Sequence, residues 1–559
     1  MKSRGDRYKL VPDNVREETF QLRVYSAVSV VGDYDYPADR AWEMQQIYSS
    51  PDFIADVNGA GGVWQRNSTS QTFYVSPIAK LSMLGIIKFS TLDPMGMGVE
   101  MEGGKPGWND AMNGLPGLIG SGMAETYEML RIVRYVKSSI SKYSRSVIYP
   151  VEFGDFMATI RDTLTVHEKS DKSERAEFLC WDACNTARER YRERISVVFS
   201  GATIETQPAS LLSLLEAMEV KTLRGIDRAL ASTNGLSPSY FHFECLDSEE
   251  FIDIKNNTHS SAPQHHLKMA HPHPQPHFLP DALPRPQPHL YPPPFFPAKL
   301  RCNAFKTHFL PNFLEGPVRH MKTLEDKNKR LAVYHHTRNS GMYDSTLRMY
   351  RLSESLESMA QDVGRMKAFS PGWLENQSIW LHMSYKFYLE LLKGGLYDEF
   401  FHEVSTGLVP FMDNKVYGRS PLEAASFIVS TAFPDKKLHG ASFLARLTGS
   451  TAEMMSMWGV MMAGHKPFTL HGNVLTLDLQ PVLPGWLFTD SGIVSFTFLG
   501  GTKVTYHNHL RMDSWTIVSK SSKVTFLDES IVTFVGSAIK GVVAERVRAL
   551  EAASIDVYY

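Results

Sequence analysis

The chain has 559 residues, of which 43% are hydrophobic and 21% charged, so it is long enough for more than one domain around a large buried core. Its 58 Lys and Arg residues nearly balance 60 Asp and Glu residues, which argues against nucleic acid and anionic membranes as partners. No uncharged apolar stretch approaches about 18 residues, and the charged start MKSRGDRYKLVPDN lacks the apolar run of a secretory signal, so we expect no membrane span and a cytoplasmic protein.

Residues 1 to about 125 are rich in loop-forming sequence, with short helical patches such as 38–50. From Ala124 onward, apolar residues recur at i, i+3 and i+4, which predicts amphipathic helices. The segments with this pattern are 126–143, 174–195, 209–231, 356–369 and 378–401, the last of which is interrupted by a Gly-Gly pair. Because no apolar strands separate these helices, the pattern favours a mainly α fold, an all-α barrel or toroid.

After about Phe468 the period of the apolar pattern changes to two. Apolar and polar residues then alternate between Gly and Pro turns over 473–484, 492–500, 502–510 and 522–536. We therefore predict two domains, a helical domain over 1–467 and a small antiparallel β domain over 468–559.

Residues 258–297 are dominated by Pro and His, so they cannot form the interior of a helix or a sheet. We interpret residues from about 255 to 304 as a disordered surface insertion, with loose metal binding by the histidines as the alternative. The motif HFLPDALP in this segment also echoes HFLPNFLEGP at 308–317, as a local duplication or a wrongly spliced gene would produce.

The four cysteines, at positions 180, 184, 245 and 302, show no CxxC pairing. Few cysteines in a long chain are typical of an intracellular protein, so we expect reduced and mostly buried thiols. We expect neither a metal site nor a cofactor.

The first candidate site is the segment 103–122, GGKPGWNDAMNGLPGLIGSG, which has seven glycines. If Asp110 lies beside Trp108 in a water-poor pocket, desolvation raises the pKa of its carboxyl, and the acid can then protonate a leaving oxygen. Trp108 offers a face for stacking a sugar ring, and Asn109 and Asn113 offer hydrogen bonds to hydroxyl groups. A turn closed by an Asx cap is the alternative interpretation.

Two further segments carry polar groups at predicted helix starts. In FSPGWLENQSIWLHMSY, Glu375, Asn376 and His382 lie at a loop-to-helix junction, where they could also be capping and core residues. In ARLTGSTAEMMSMW, Thr448 and Gly449 precede a helical run, and free backbone N–H groups at a helix N-terminus form a ready anion site. An ordinary N-cap is the alternative there.

Together, the three segments resemble the disaccharide and oligosaccharide phosphorylases of glycoside hydrolase family 94, the cellobiose phosphorylase family. GWNDAMNG is similar to the WND-G-MN loop of that family, which implies that Asp110 is the general acid and that Trp108 lies at the sugar site. LENQSIWLH and LTGSTAEMMSMW are similar to its other two motifs, which implies that His382, Thr448 and Gly449 bind phosphate. We assign Asn109 and Glu375 to substrate binding.

The resemblance extends from about residue 95 to the C-terminus and is greatest to the long branch that resembles 1,2-β-oligoglucan phosphorylases. It implies an (α/α)6 barrel followed by a small β domain. Only 109 residues precede Asp110, so the family's N-terminal β-sandwich and its loop for the non-reducing sugar are expected to be missing, which leaves the barrel truncated.

The function implied by the resemblance is reversible phosphorolysis of a β-glucoside with inversion. Asp110 protonates the glycosidic oxygen while inorganic phosphate, the co-substrate, attacks the anomeric carbon. Four basic residues could assist phosphate or the acceptor sugar, or could simply be surface charges: Arg419, Lys436, Lys437 and His439. We expect an oligosaccharide and phosphate as partners, with a homodimer as one possible assembly.

Two other functions stay open. The first is an inverting glycoside hydrolase with Glu375 or Glu423 as the base, because hydrolysis needs a second carboxylate to activate water. The second is a carbohydrate-binding remnant of a phosphorylase without catalytic activity. Release of sugar that does not depend on phosphate would indicate the hydrolase, and sugar affinity without turnover would indicate the remnant.

Overall fold

The computed structural model describes residues 22–23, 67–69, 73–101, 109–195, 199–251, 299–420, 423–445 and 448–559. Trp108, the predicted helical patch 38–50 and the Pro/His segment 258–297 lie outside these ranges. Among the described residues, no helix combines the length and the apolar character that crossing a bilayer requires.

The described residues form twelve α-helices. Their bounds are α1 Pro77–Phe89, α2 Met123–Tyr143, α3 Val151–Glu168, α4 Glu174–Ile195, α5 Pro208–Ser232, α6 Glu315–Thr323, α7 Lys327–Arg338, α8 Leu381–Lys393, α9 Tyr397–Gly407, α10 Asn414–Tyr417, α11 Thr448–Ala463 and α12 Val542–Arg548. Local sequence explains several of the ends. The hydroxyl of Ser76 caps α1 by accepting from the Ala79 N–H, and Asp326 caps α7 by accepting from the Lys329 N–H.

Strands account for 22% of the structure. In chain order they are β1 Leu22–Arg23, β2 Tyr74–Val75, β3 Val99–Glu100, β4 Gly120–Gly122, β5 Val147–Pro150, β6 Thr203–Thr206, β7 Tyr240–Phe251, β8 Lys299–Phe309, β9 Tyr343–Asp344, β10 Met349–Tyr350, β11 Ile379–Trp380, β12 Ala425–Ile428, β13 Ser442–Ala445, β14 Phe468–His471, β15 Val474–Asp478, β16 Ile493–Phe498, β17 Thr502–His507, β18 Ser521–Phe526, β19 Ile531–Val535, β20 Ala538–Lys540 and β21 Ala552–Tyr558.

The larger sheets are β3-β4-β7-β8, β11-β12-β13, β14-β15-β20 and β16-β17-β21-β18-β19. In the last of these, β17 and β21 run parallel, whereas β16, β18 and β19 pair antiparallel with their neighbours. Three two-stranded pairs, β1 with β2, β5 with β6 and β9 with β10, lie elsewhere in the described chain.

The prediction of a mainly α fold, a truncated (α/α)6 barrel, is wrong, because the fold is mixed α and β with several sheets. Many of the strands lie between the helices and are only two to four residues long. Such short strands give no period of two in the sequence, so the loops that contain them looked unstructured.

The region before residue 125, which we expected to be loop-rich with short helical patches, contains the thirteen-residue helix α1. One local prediction is also wrong. The segment 356–369, predicted to be helical, contains two short 3-10 turns, Gln361–Val363 and Arg365–Ala368. Gly364 between the turns has φ 140°, a backbone conformation that no α-helix contains.

The predictions of the longer helices and of the C-terminal strands are confirmed. The helices α2, α4 and α5 cover the predicted segments 126–143, 174–195 and 209–231, and the pair α8 and α9 is broken at the expected Gly-Gly. A run of strands starts at Phe468, and each of the four stretches with alternating residues contains strand structure.

Buried apolar side chains form three clusters. One lies among α1 to α5, a second is centred on α8 and the elements around it, and a third lies within the β-rich C-terminal region from Ala463 onward. The described chain divides into two compact units, one drawn from 1–243 and 307–559 and the other from 244–306. The C-terminal β region thus has its own core within the larger unit.

Two of the four cysteines follow the prediction of reduced, buried thiols. Cys180 and Cys184 are free and buried. Cys245 is disulfide-bonded, so the prediction is wrong for that residue.

Candidate active site

The loop that begins at Asn109 is fixed against the two 3-10 turns at 361–368. Three hydrogen bonds join them: the Gly114 N–H donates to Val363 O (3.1 Å), the Met366 N–H donates to Ala111 O (3.0 Å), and the Arg365 N–H donates to Asn113 Oδ1 (3.1 Å). The backbones approach closely, since a Cβ added at Gly364 would lie 2.5 Å from Ala111 O. Two segments about 250 positions apart in sequence therefore form one structural unit.

Asp110 lies at the surface of this unit. Its side chain is 73% exposed, and its Oδ2 is 3.0 Å from a terminal guanidinium nitrogen of Arg365, which is itself 49% exposed. The described residues thus leave the Asp110 carboxylate in water, in contrast to the water-poor pocket that the sequence predicted. Trp108, which was expected to cover it, lies outside the described residues.

Asn109 has the opposite environment. It is 2% exposed, and its Oδ1 accepts a hydrogen bond from the Ala111 N–H at 3.2 Å, which closes an Asx turn. The Nδ2 atom is buried and has no hydrogen-bond partner in the described part of the chain. The structure therefore places the predicted substrate-binding amide inside the loop, where it supports the turn that carries Asp110.

Glu375 is half-buried and lies close enough to Asp110 and Arg365 for their charges to act on it. Burial raises the pKa of the Glu375 carboxyl above its ordinary value, and the negative charge of Asp110 raises it further, while Arg365 opposes the shift. The structure therefore pairs Asp110 with Arg365, which the sequence analysis missed, and the charges of both act on Glu375.

The backbone around Glu375 is held in an unusual conformation. Leu374 and Gln377, on either side, both have positive φ angles, 49° and 60°. Trp380 Nε1–H donates to Leu374 O at 2.9 Å, and the Asn376 amide donates to Phe369 O at 2.7 Å. Non-glycine residues in the left-handed region persist where the surroundings determine them, and they cluster at functional sites.

Trp373, in the same segment, is a packing residue. Its ring contacts Phe427 and Phe443 edge-on at centroid distances of 5.1 and 4.6 Å, and Phe433 at 5.6 Å. Trp373 therefore anchors the loop of Glu375 to the sheet β11-β12-β13, whereas the buried Asn376 ties the loop to Phe369.

That sheet explains why His382 and Gly449 lie side by side. The central strand β12 runs antiparallel to both β11 and β13, so β11 and β13 run parallel to each other. Helix α8 begins directly after β11, and α11 begins shortly after β13, so both helices start at the same edge of the sheet and pack against each other. A Cβ added at Gly449 would lie only 3.1 Å from Cδ2 of the His382 ring.

The first turns of both helices are therefore adjacent. The N-terminal ends of helices present free N–H groups and the positive end of the helix dipole, so two adjacent ends favour an anion. Thr448 is the first residue of α11, and its backbone lies at this position.

The charged groups around His382 are mainly cationic. Burial lowers the pKa of His382 to about 4, and the positive charges of Lys386 and Arg319 contribute to the shift. The pKa of Lys386 is also lowered, first by burial and then by Arg319, with Glu453 and Glu315 opposing. His382 is consequently a neutral imidazole at neutral pH. A negatively charged ligand bound beside it would stabilise the positive charges of Lys386 and Arg319.

Lys386 and Arg319 were not identified from the sequence. Lys386 is one helical turn after His382, at the i+4 position that shares its helix face, and this spacing is a signal that the sequence contains. Arg319 lies on α6, and only the packing of α6 against α8 brings it near.

The remaining candidates lie apart from this cluster in their contacts. Arg419 and Glu423 are 3.5 Å from each other in a pair whose carboxylate is half-exposed. Lys436 and Lys437 are exposed, and Nε2 of His439 is 2.8 Å from Phe433 O. These contacts agree with surface charges and a structural histidine. They give no sign of the other role considered for these basic residues, assistance to phosphate or the acceptor sugar.

No protein-family model matches the sequence, and no curated protein matches it significantly. The resemblance to the cellobiose phosphorylase family therefore stays a prediction that rests on the three motifs.

Proposed function

We propose that this chain is a cytoplasmic inverting glycoside phosphorylase that cleaves a β-glucoside, such as cellobiose or a β-glucan oligosaccharide, with inorganic phosphate to give α-glucose 1-phosphate. The observation that carries the proposal is the close approach of His382 and Gly449, at the adjacent N-termini of two helices that pack against each other. It brings together two of the three predicted phosphate-binding residues.

In this proposal phosphate binds at the first turns of α8 and α11. Backbone N–H groups at Thr448 and Gly449 and the neutral imidazole of His382 supply hydrogen bonds, and Lys386 and Arg319 supply positive charge. The phosphate oxygen attacks the anomeric carbon from the face opposite the leaving group. Because the nucleophile is already an anion, the reaction needs no base to activate water.

Asp110 protonates the glycosidic oxygen of the leaving sugar in this mechanism. Since its carboxylate is exposed and paired with Arg365, a bound sugar has to cover the loop before the proton can be transferred. Glu375, half-buried beside it, contributes to sugar binding through its carboxyl group.

One observation favours a second candidate, an inverting glycoside hydrolase. Asp110 and Glu375 form a pair of carboxyl groups in which one is paired with a cation and the other has a raised pKa. Inverting hydrolases use such a division, with a protonated acid and an ionised base. The two candidates differ in whether cleavage depends on phosphate.

The deciding experiment incubates the purified chain with a panel of β-glucobioses and β-glucan oligosaccharides, with and without phosphate, and measures glucose 1-phosphate and free glucose. The proposal expects glucose 1-phosphate only when phosphate is present. If cleavage is unchanged without phosphate, the chain is a hydrolase and not a phosphorylase. If it binds sugar without cleaving it, the chain is a carbohydrate-binding protein.

Asp110→Asn tests the proton donor, and we expect it to lower kcat by about 100-fold or more. Asp490→Asn is the matched control, because Asp490 is also exposed and also pairs with an arginine, Arg511, at 2.9 Å. A similar loss in both variants would contradict a catalytic role for Asp110.

A further inference from the structure

A cleft runs along the groove between α3 and α4. These two helices are joined by residues 169–173 and pack against each other. The cleft has a volume of about 460 Å³, which is in the range of sites for small molecules. Its lining residues recur every three or four positions along one face of each helix, and none of them belongs to the candidate active site.

Two deeply buried polar side chains line this cleft. Glu152, in the first turn of α3, and Tyr191, near the end of α4, are each 4% exposed. The Ser200 N–H donates to Glu152 Oε1 at 2.8 Å, which fixes the carboxylate. Glu152 Oε2 and the Tyr191 hydroxyl are both buried without a hydrogen-bond partner in the described part of the chain. Because native proteins leave few buried polar atoms unpaired, two such oxygens in the lining of one cleft indicate a ligand that supplies their partners.

The rest of the inner wall is apolar. The ring of Phe156 stacks on that of Tyr191, with the centroids 5.1 Å apart and the planes at 21°, and Phe153 contacts Tyr191 edge-on at 5.8 Å. Ala187, on the next turn of the same face of α4, is buried as well. These contacts hold Tyr191 in place, and they give a ligand an aromatic surface to pack against.

The charges of the lining are unequal. Three carboxylates line the cleft, Glu152, Asp155 and Asp182, against two guanidinium groups, Arg190 and Arg194. Asp155 and Arg194 pair with each other at the exposed rim. Glu152, at the inner end, makes no ion pair with any residue the structure describes. The cleft therefore carries an excess of negative charge, which favours a cationic ligand.

We propose that the cleft between α3 and α4 binds a small organic cation, a primary ammonium group on an apolar body about the size of an aromatic ring. The ammonium donates to Glu152 Oε2 and to the Tyr191 oxygen, and the apolar body packs on Phe156. An ammonium group fits better than a hydroxyl, since it has three donors for the two unpaired oxygens and supplies the positive charge that Glu152 lacks. The inference goes beyond the proposed function and does not depend on it.

A matched pair of probes tests the class of ligand. Phenethylamine and 2-phenylethanol have the same shape and differ in whether the chain ends in an ammonium or a hydroxyl group. Isothermal titration calorimetry at neutral pH measures the affinity of the full chain for each. We expect phenethylamine to bind with a Kd of about 1 mM or tighter, and 2-phenylethanol to bind at least about tenfold more weakly.

Three variants test the place of binding. Glu152→Gln removes the negative charge and keeps an oxygen for the Ser200 N–H, so we expect phenethylamine to bind about tenfold more weakly. Tyr191→Phe keeps the ring and removes the hydroxyl, and a loss of about threefold is expected. Ala183→Phe fills the cleft from α4, so it should abolish binding.

Asp162→Asn is the matched control, because Asp162 is an exposed carboxylate on the same helix that does not line the cleft. It should leave the affinity unchanged. Absence of phenethylamine binding, equal affinity for the two probes, or equal losses in Glu152→Gln and Asp162→Asn would overturn the inference. Circular dichroism and the thermal midpoint establish that each variant is folded. Because no assay of sugar cleavage enters this test, its outcome and that of the proposed function are independent.

Discussion

Two groups of charged residues in this protein have opposite arrangements. In the helical region, Glu177 is 3% exposed and is surrounded by Lys221, Arg228 at 3.3 Å and His167 at 3.2 Å, so the chain itself supplies its partners. In the candidate site, Lys386 is half-buried and makes neither an ion pair nor a hydrogen bond with any residue the structure describes.

The pKa shifts express the same difference. The pKa of Glu177 is lowered to about 2, because hydrogen bonds and three nearby basic groups outweigh its burial. Burial lowers the pKa values of His382 and Lys386, nearby positive charge lowers both further, and only Lys386 has opposing acidic neighbours, so the charged forms of both are disfavoured. The group around Glu177 is complete without a ligand, whereas a bound anion would favour the charged form of Lys386.

The largest effect is expected from Glu177→Gln. Removing the carboxylate leaves the buried Lys221 without its partner, so we expect the free energy of unfolding to fall by about 3–5 kcal/mol. Denaturant unfolding at neutral pH measures the change. The exposed pair of Glu168 and Arg224, at 2.8 Å, provides the control variant Glu168→Gln, for which we expect no measurable change.

The same carboxylate gives a dependence on pH. Its folded pKa, about 2, is below the ordinary value of 4.5, so its contribution to stability is complete above pH 4.5 and is lost as the pH falls toward 2. Glu177→Gln should therefore flatten the acid side of the stability profile. An unchanged profile would mean that the buried Glu177 carboxylate contributes no stability that depends on pH. The contrast between this cluster and the candidate site would then fail.

A smaller effect is expected from Gly364→Ala, which changes the candidate site. The new Cβ would lie 2.5 Å from Ala111 O in a backbone conformation that favours glycine, so we expect a cost of about 1–3 kcal/mol and a displaced acid loop. The measured result should be lower kcat with the overall fold retained. Gly418→Ala is the control, because Gly418 has φ 74° but no atom lies within 4 Å of its added Cβ. A comparable loss of kcat in this variant would mean that the contact with the acid loop is not the cause.

The smallest effect is expected from Gly449→Ala. The added methyl group would press on the His382 ring, 3.1 Å away, and we expect the KM for phosphate to rise roughly fivefold, equivalent to about 1 kcal/mol. Gly459→Ala changes the same helix where no atom lies within 4 Å, so it should leave KM unchanged and stabilise the helix by about 0.5–1 kcal/mol. Equal KM values for phosphate in the two variants would mean that the start of α11 takes no part in phosphate binding.

The sequence by itself determined the long helices and the regular strands. Helix α4 has the predicted bounds, and the strands after Phe468 lie in the stretches that alternate, because a repeated apolar spacing records which face of an element is buried. It also identified Asp110, Glu375, His382 and Gly449 as residues to examine together, although their functional roles are still proposals.

Only the tertiary structure decided how those residues meet. The segment 356–369 forms two 3-10 turns instead of a helix because Gly364 packs directly against the loop of Asp110, a contact across about 250 positions that no local pattern records. Parallel alignment of β11 and β13 places His382 beside Gly449, and the exposed position of Asp110 opposite Arg365 depends on the same long-range packing. The local spacing of apolar residues shows which face of a helix or strand is buried. Which loops contact each other depends instead on backbone hydrogen bonds and close contacts between distant parts of the chain.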